Sequence, residues 1–432
     1  MSVEGLGQPP WWDACIFGGP KGNKILPVMA NVLIILEQDP LFAGKIGWDK
    51  LRDEPMLLEP MPWSINGRVC PRPFDDADDT FMSACFQMKP FDMNVSSKLC
   101  HEAVNAIATR NSYHPVINYF NRCAETWDGF YRIDTVPERI FHVKTHEIPD
   151  KNDEDLTEEE RQKKAYNRYV RSVLGKWMIS AVARICDPGC KVDHVLILEG
   201  EQELKKSQVF KILGTPWYTP DIAALGSKDA AEQIVGVWIV ELDELDALTR
   251  ARDVAATKSF ITRETDRFRW SYGRRVGEYR RQCVFGGTVN PQPWMRDPTG
   301  GRRFWILACP KEIDTNQLIA ERDQLWGEAF ARYKEGEIWY LTDKEVIEAA
   351  RAEQMARAPE DPWLGKIRDY LNTTTRKITT YEALEYLKIP SERQGKAEAM
   401  RVGVLLKSLG YEPKKVWDSD SKNTVRVYEK LQ

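Results

Sequence analysis

The first 125 or so residues carry apolar side chains at intervals of three and four, which is the spacing of amphipathic helices. The pattern is clearest in residues 23–38, 75–88 and 96–112. The second of these segments has acidic residues over its first turn and the third begins with serine, as helix starts often do. Residues 48–63 predict a short hairpin or loop. Residues 1–150 are therefore expected to form a mainly helical N-terminal domain.

Strand and helix patterns then alternate. Residues 146–164 are polar and dense in charge, which predicts a linker with a solvated helix start. A long amphipathic helix is expected over residues 165–185. Apolar runs of strand length follow at 194–199, 237–242 and 282–290. Strands that alternate with helices favour a layered α/β domain with a mainly parallel sheet, spanning about residues 165–310.

The remaining residues predict a connector and a further small domain. Residues 311–360 show helical periodicity, and residues 361–432 predict three helices followed by a pair of strands. That order is typical of a winged-helix module, although other small α+β domains share it.

The composition, with 42% apolar and 29% charged residues, is that of a globular protein. No run approaches the ~18 apolar residues of a membrane span, and the early apolar run lacks the flanks of a signal peptide, so we expect a cytoplasmic protein without a membrane partner. Nine scattered cysteines agree with a reducing compartment. Cys186, Cys190 and His194 do not predict a zinc site, because the cysteines are four residues apart with a Pro-Gly turn between them.

The formal net charge of −4 means that nucleic acid can be bound only through a local basic patch or an assembled ring. Residues 262–282 form the densest basic segment, with seven arginines and three acidic residues. The same segment contains Trp270 and Tyr272, on which bases could stack. Packing within a hairpin is the alternative role for these two aromatic residues.

Residues 200–207, GEQELKKS, stand between a predicted strand and a predicted helix, which is the context of a phosphate-binding loop spelled G-x-x-x-x-G-K-[ST]. Gly200, Lys206 and Ser207 occupy matching positions, whereas Lys205 replaces the second glycine. In such a loop the backbone N–H groups and the amino end of the helix hold the phosphates, and the lysine and the hydroxyl reach the phosphates and Mg²⁺. The sequence therefore favours a nucleotide site.

Polar residues at and after the ends of the later strands fit the same chemistry. In chain order they are Glu241, Asp243, Glu244, Asn290, Arg302 and Arg303. The acids could hold a Mg²⁺ shell and activate water, and the asparagine amide could position the attacking water. Either arginine could reach the γ-phosphate of a neighbouring subunit as an arginine finger.

These stretches together resemble the virulence-associated E family, whose members are phage and mobile-element proteins similar to superfamily 3 helicases of the AAA+ class. The resemblance rests on LILEG…KKS, GVWIVELDEL, RFRWSYGRRVGEYRRQCVFGGTVN and RDPTGGRRFW, and covers about residues 25–365. It implies a P-loop AAA+ core, ATP and Mg²⁺ as cofactors, and a ring-shaped homo-oligomer, expected to be a hexamer, that moves on single-stranded DNA during replication. Family members often follow a primase domain, and none is recognised here, so a separate primase is a candidate partner.

The resemblance also assigns roles by position. The nucleotide-binding residues would be Gly200, Lys205, Lys206 and Ser207. The acidic pair would be Glu241 and Glu244, with Asp243 as an alternative because alternation along the strand leaves the register open. Asn290 would be the first sensor, and Arg302 or Arg303 the finger. The segment RFRWSYGRRV would be a hairpin that projects into the ring channel and binds DNA through Arg269, Trp270, Tyr272, Arg274 and Arg275.

Glu203 departs from the family pattern, in which a glycine often stands at this place. A glycine at a loop apex often holds a positive φ, which costs another residue about 1 kcal/mol or more, and a carboxylate beside a triphosphate is repelled. Lys205 and Lys206 can offset the repulsion, so we expect a nucleotide site of weakened affinity. Two alternatives stay open: a DNA-binding or assembly protein that keeps the ring without turnover, and an AAA+ initiator that melts an origin.

Overall fold

A computed structural model of the chain describes residues 11–21, 24–64, 69–220, 222, 226–242, 257–270, 276–291, 293–295, 301–358, 361–373, 377–418 and 423–430. The chain divides into two compact units, Met1–Ala356 and Arg357–Gln432. The further division of the first unit near residues 150 and 310 stays a prediction. Within the described residues, no helix is both long enough and apolar enough to cross a membrane.

The amino-terminal part of the first unit combines helices with two small antiparallel sheets, β1–β2 and β3–β4–β5. Its elements are β1 (Phe17–Gly18), β2 (Lys24–Ile25), α1 (Met29–Gln38), β3 (Ile46–Asp49), β4 (Glu54–Leu57), β5 (Arg72–Pro73), α2 (Asp76–Gln87), α3 (Ser97–Arg110) and α4 (Pro115–Thr126). A capping box between Asp75 and Asp78 starts α2, and the Ser96 side chain caps α3. The helices and the hairpin expected here are present, and α4 is an addition to them.

Two helices lead from this part to the central sheet, α5 (Val136–Arg139) and α6 (Glu158–Cys186). A capping box between Thr157 and Glu160 starts α6, which runs for 29 residues. The predicted amphipathic pattern is wrong for its second half, because every residue from Trp177 to Ile185 is buried. The sheet covers one side of this half, where the Trp177 indole donates a hydrogen bond to the Phe285 carbonyl over 2.8 Å, and other helices of the unit cover the remaining sides.

A five-stranded parallel sheet forms the centre of the first unit, in the strand order β12–β6–β11–β8–β7. The elements of this part are β6 (Val195–Glu199), α7 (Lys206–Gly214), β7 (Tyr218–Thr219), α8 (Lys228–Gln233), β8 (Ile239–Leu242), β9 (Thr265–Phe268), β10 (Gly277–Arg280), β11 (Val284–Val289), β12 (Phe304–Ala308), α9 (Thr315–Lys334) and α10 (Lys344–Ala356). The mixed α/β architecture with a parallel sheet is thereby confirmed.

The two faces of this sheet belong to different hydrophobic clusters. Leu196, Leu198 and Ile239 pack into the large cluster that includes α6 and α7, whereas alternate residues such as Val195 and Ile197 pack into a second cluster on the other face. Buried parallel strands require apolar residues on both faces. This requirement explains the uninterrupted apolar runs in the sequence.

Helix α7 approaches β11 very closely at Gly286. A Cβ atom at Gly286 would lie 2.2 Å from Cε1 and 2.4 Å from Cδ1 of Phe210, which is on α7. Gly286 is opposite Leu196 of β6 and Glu241 of β8. The missing side chain therefore lets an aromatic ring of α7 rest directly on the middle strand of the sheet.

The second unit contains α11 (Pro362–Thr373), β13 (Ile378–Thr379), α12 (Thr380–Tyr386), α13 (Lys396–Ser408), β14 (Tyr411–Asp418) and β15 (Asn423–Lys430). Its strands form an antiparallel sheet in the order β13–β15–β14. Ile367, Leu384, Leu406 and Tyr428 are among the residues of its own small core. The three predicted helices and the terminal pair of strands are present, with the short β13 in addition.

Gly286→Ala is expected to destabilise the first unit by about 1–3 kcal/mol, because the new methyl group overlaps the Phe210 ring in a close-packed core. Hydrogen exchange of the β11 amides measures the effect. Combining the change with Phe210→Leu should restore part of the loss. Gly365→Ala on α11, where a Cβ meets nothing within 4 Å, is the control and should not destabilise its own unit. Unchanged exchange in Gly286→Ala would contradict the role given to this contact.

Candidate functional site

The candidate site lies at the carboxyl end of β6, where the chain enters residues 200–205 and then α7. The strands β7, β8 and β11 lie on one side of β6 and β12 lies on the other side. In an open parallel sheet, ligands bind outside the carboxyl ends of the strands at such a change of direction. The strand order therefore places this change of direction at the segment that the sequence predicts to be a phosphate-binding loop.

The loop backbone turns through two residues in the left-handed region. Glu203 has a φ of 66° and Lys205 has a φ of 62°, so both positions where a glycine would be usual hold side chains in a strained conformation. At Gly200, in contrast, a side chain does not fit without a backbone shift, because a Cβ atom there would lie 2.5 Å from the Cys309 carbonyl oxygen. Lys205, at the N-cap of α7, makes no side-chain cap hydrogen bond. The amino end of α7 can therefore direct N–H groups toward an anion.

The two loop lysines make different contacts. Lys206 is only 8% exposed, and its Nζ donates to the carbonyl oxygens of Gly200 over 2.5 Å and of Glu201 over 2.6 Å. Burial lowers the pKa of Lys206. Lys205 is exposed and forms an ion pair with Glu312, with 2.5 Å between Nζ and Oε1. Lys206 thus lies across the loop, and Lys205 is directed to the segment after β12.

Glu241 is a buried acid on β8, on the face of the sheet against which α7 packs. The hydroxyl of Tyr218, on β7, donates to Oε2 of Glu241. The hydroxyl of Thr288, on β11, lies 3.3 Å from Oε1. Hydroxyl groups from both neighbouring strands therefore hold the carboxylate. Tyr218 was missed in the sequence, where β7 is only a two-residue strand with no detectable period.

Ser207 and Glu241 carry oxygen donors of the kind that a magnesium ion takes. Ser207, the second residue of α7, is exposed beside Lys206, and Glu241 offers a carboxylate. Mg²⁺ in nucleotide sites is usually held by one or two such protein groups together with phosphate oxygens and water. No group of three or more histidine, cysteine or acidic side chains suited to a metal occurs in the described parts of the chain. Asp243 and Glu244, the other predicted acids, lie outside the described residues.

Asn290, the predicted sensor, lies next to the loop. It directly follows β11, whose last residue, Val289, is opposite Glu199. The amide of Gly200 donates to the Val289 carbonyl over 3.2 Å. The structure thus brings the start of the loop and Asn290 together at one edge of the sheet.

Arg302 and Arg303 lie at the opposite edge. They form a 3₁₀ turn immediately before β12, and Phe304, the first residue of that strand, is opposite Val195 at the start of β6. The arginines line a cavity of about 220 Å³ together with His194 and other residues. Arg302 is exposed, and Nε of Arg303 is buried without a hydrogen-bond partner among the described residues. The structure does not bring either arginine to the loop of its own chain.

His194 is buried, and the nearby Cys186 and Cys190 are half-buried. His194 stacks on Trp305 with 3.7 Å between the ring centroids, and burial lowers its pKa to about 3. Burial raises the pKa of the Cys186 and Cys190 thiols to about 11. The absence of a zinc site at these three residues stays a prediction from their spacing.

The predicted hairpin ahead of β11 is present. Strands β9 and β10 pair antiparallel, with Phe268 opposite Gly277. Trp270 is 39% exposed and contacts Phe268 and Tyr279 edge-on, while Arg269 is exposed. Trp270 therefore packs within the hairpin and also presents part of its ring to solvent. Tyr272, Arg274 and Arg275 lie outside the described residues.

A buried ion pair fixes the base of the hairpin. Asp266 and Arg281 are almost inaccessible and share hydrogen bonds of 2.8–2.9 Å. Arg281 also donates to the Phe260 carbonyl. Because only Gln282 and Cys283 separate Arg281 from β11, this pair joins the hairpin to the strand that carries Thr288.

Comparisons with known proteins agree with part of this picture. The family model of the virulence-associated protein E-like domain matches residues 121–358, more than half of the chain. The C subunit of the A-type ATP synthase of Methanococcoides burtonii is 22% identical over 212 residues, which are 46% of this chain and 55% of that protein. The chain thus spans about half the length of this curated relative.

Solved structures of the C-terminal region of NrS-1 are also similar. One apo structure of residues 305–718 has a TM-score of 0.41 and 14% identity, covering 89% of this chain and 96% of that chain. A second apo form has a TM-score of 0.38 and 15% identity, with the same coverage of each chain. Scores of this size carry no conclusion about function.

Proposed function

The chain belongs to the virulence-associated protein E-like family, and from this premise we propose that it is an ATP-driven helicase or translocase that acts in the replication of a phage or other mobile element. In this proposal, residues 165–310 form a P-loop AAA+ core similar to superfamily 3 helicases. The core assembles into a ring, expected to be a hexamer, around single-stranded DNA. A separate primase is a candidate partner.

One observation carries the proposal. A loop that follows a buried parallel strand has Lys206 and Ser207 at the start of α7, and α7 packs on the face of the sheet that holds the carboxylate of Glu241. A lysine, a hydroxyl and an acid in this order are the protein groups that a nucleoside triphosphate with Mg²⁺ requires.

Each residue of the site has a proposed role. The uncapped N–H groups of α7 hold phosphate oxygens, and Lys206 exchanges its two loop carbonyls for the β/γ-phosphates. Ser207 and Glu241 would hold Mg²⁺, which would neutralise charge on the phosphates. Asn290 positions water next to Gly200, and Glu244, with Asp243 as the alternative, accepts a proton from that water.

The hairpin of β9 and β10 supplies the DNA contact in this proposal. Its basic segment includes Arg269, Arg274 and Arg275, and Trp270 and Tyr272 offer faces for stacking. The Asp266–Arg281 pair ties the base of the hairpin to β11. A shift of β11 on nucleotide turnover would therefore move the hairpin. The second unit, proposed to be a winged-helix module, supplies a further contact to DNA or protein.

A nucleotide-silent protein on the same fold is the second candidate. Lys206 already has two carbonyl partners, and Lys205 is paired with Glu312 instead of being directed to an anion. Glu203 adds a negative charge at the loop apex. These contacts favour a loop whose lysines are bound by the protein's own groups. Such a protein would bind DNA or a partner without hydrolysing ATP.

The first test is Mg²⁺-dependent nucleotide binding and ATP hydrolysis, with and without single-stranded DNA. We expect hydrolysis that DNA stimulates, and a loss of about 100-fold or more in Lys206→Ala, because one charged donor to the phosphates is removed. Lys211→Ala changes an exposed lysine one turn further along α7 and is the matched control. Glu203→Gly should bind nucleotide up to about tenfold more tightly, since strain and repulsion are both relieved.

The outcomes separate the two candidates. If only the Glu203→Gly variant hydrolyses ATP, the parent chain is the nucleotide-silent protein. Equal activity in the parent and in Lys206→Ala would show that the loop is not the hydrolytic site.

A mixing experiment tests the arginine finger. The arginines lie at the edge of the sheet opposite the loop, so Arg302→Ala or Arg303→Ala should inactivate a neighbouring subunit in a head-to-tail ring. Mixing the inactive finger variant with inactive Lys206→Ala in equal amounts should restore activity at about a quarter of the interfaces, where an intact loop meets an intact arginine. Arg171→Ala, on the exposed side of α6, is the control. A mixed oligomer without any recovery would contradict a finger supplied in trans.

DNA binding tests the hairpin. Replacing both Arg274 and Arg275 by alanine should weaken binding to single-stranded DNA and reduce the slope of log K against log salt by about 1.4, or about 0.7 for each phosphate that is no longer neutralised. A salt titration by fluorescence anisotropy gives this slope. An unchanged slope, with hydrolysis intact, would place the DNA contact elsewhere in the protein.

A further inference from the structure

Glu241 is held by hydroxyl groups from both neighbouring strands. Its strand, β8, lies between β7 and β11 in the sheet. Tyr218 is opposite Ile239, so its side chain lies on the same face as that of Glu241, and its hydroxyl donates to Oε2. Thr288 approaches the other oxygen, Oε1, from β11. One hydroxyl therefore meets each carboxylate oxygen.

We propose that Tyr218 is a positioning residue that, together with Thr288, fixes the Glu241 carboxylate toward α7 and thereby sets the Mg²⁺ concentration at which nucleotide binds. This inference rests on the proposed nucleotide site. It adds Tyr218 on β7, a strand that carries none of the loop, acidic or sensor residues.

The physical reason is the burial of Glu241, which is 1% exposed. A carboxylate this deep is stable in its charged form only when hydrogen bonds replace water. Each carboxylate oxygen has two lone pairs, so an oxygen that accepts one hydroxyl bond can still coordinate an ion. The two hydroxyl bonds thus hold the carboxylate in one orientation.

Tyr119 provides a matched control. Its hydroxyl donates to Asp323 over 2.5 Å, and its side chain is 6% exposed. Tyr119→Phe and Tyr218→Phe each remove one hydroxyl from a tyrosine–carboxylate hydrogen bond, and only the second bond involves Glu241. A loss that arises from stability alone should appear in both variants.

The experiment measures binding of a fluorescent ADP analogue to the full chain as Mg²⁺ is raised, together with thermal unfolding. In Tyr218→Phe, we expect the half-saturating Mg²⁺ concentration to rise by about tenfold, because hydrogen bonds to charged groups are the stronger ones. Binding without Mg²⁺ should stay as in the parent. Thr288→Val should shift the Mg²⁺ dependence in the same direction, and Tyr119→Phe should leave it unchanged.

A half-saturating Mg²⁺ concentration in Tyr218→Phe within about twofold of the parent value would overturn the inference, since the expected rise is about tenfold. So would equal shifts in Tyr218→Phe and Tyr119→Phe that follow a common loss of thermal stability. Nucleotide binding by the parent that survives in Lys206→Ala would instead contradict the proposed site itself. The lysine variant tests the function, and the tyrosine variant tests the positioning of the acid.

Discussion

The contact between Phe210 and Gly286 governs the geometry of the whole site. Because β11 has no side chain at Gly286, the Phe210 ring can rest on the middle of the sheet, and α7 is brought close to β8 and β11. The amino end of that helix carries Lys206 and Ser207, and the face beneath it carries Glu241 and Thr288. The contact thus fixes how α7, with Lys206 and Ser207 at its amino end, packs on the face of the sheet that carries Glu241.

Neutral polar groups contact the two ionisable side chains of the proposed site, Lys206 and Glu241. Two carbonyl oxygens accept from Lys206, and two hydroxyl groups contact Glu241. A buried charge is stable only when such groups replace its water. In the proposed site, a phosphate oxygen would take the place of a loop carbonyl at Lys206, and Glu241 would keep its hydroxyl bonds beside a metal ion.

Local patterns in the sequence were sufficient for strands β6, β8 and β11 of the central sheet, for the loop after β6 and for most helices, whereas β7 and β12 were missed. The apolar run before Gly200 and the helix after Lys206 predict the strand–loop–helix unit, because each depends on neighbouring residues. Other features depend on distant residues. The burial of α6 follows from helices packed around it, the close approach at Gly286 requires a ring far earlier in the chain, and the Tyr218 bond arises on a very short strand. Periodicity within a short window contains no information about such contacts.

The direction of the parallel strands separates the lysine from the arginines. Residues 200–207 follow the carboxyl end of β6, whereas Arg302 and Arg303 precede the amino end of the neighbouring β12. Five residues at about 3.3 Å each separate these edges by about 16 Å, which is more than an arginine side chain can span. Under the proposed function, an arginine in this turn would contact a phosphate at the loop of another copy of the chain. In the proposed mechanism, assembly of the subunits is therefore a chemical requirement, because the parallel sheet places the two halves of the site at opposite edges of each protomer.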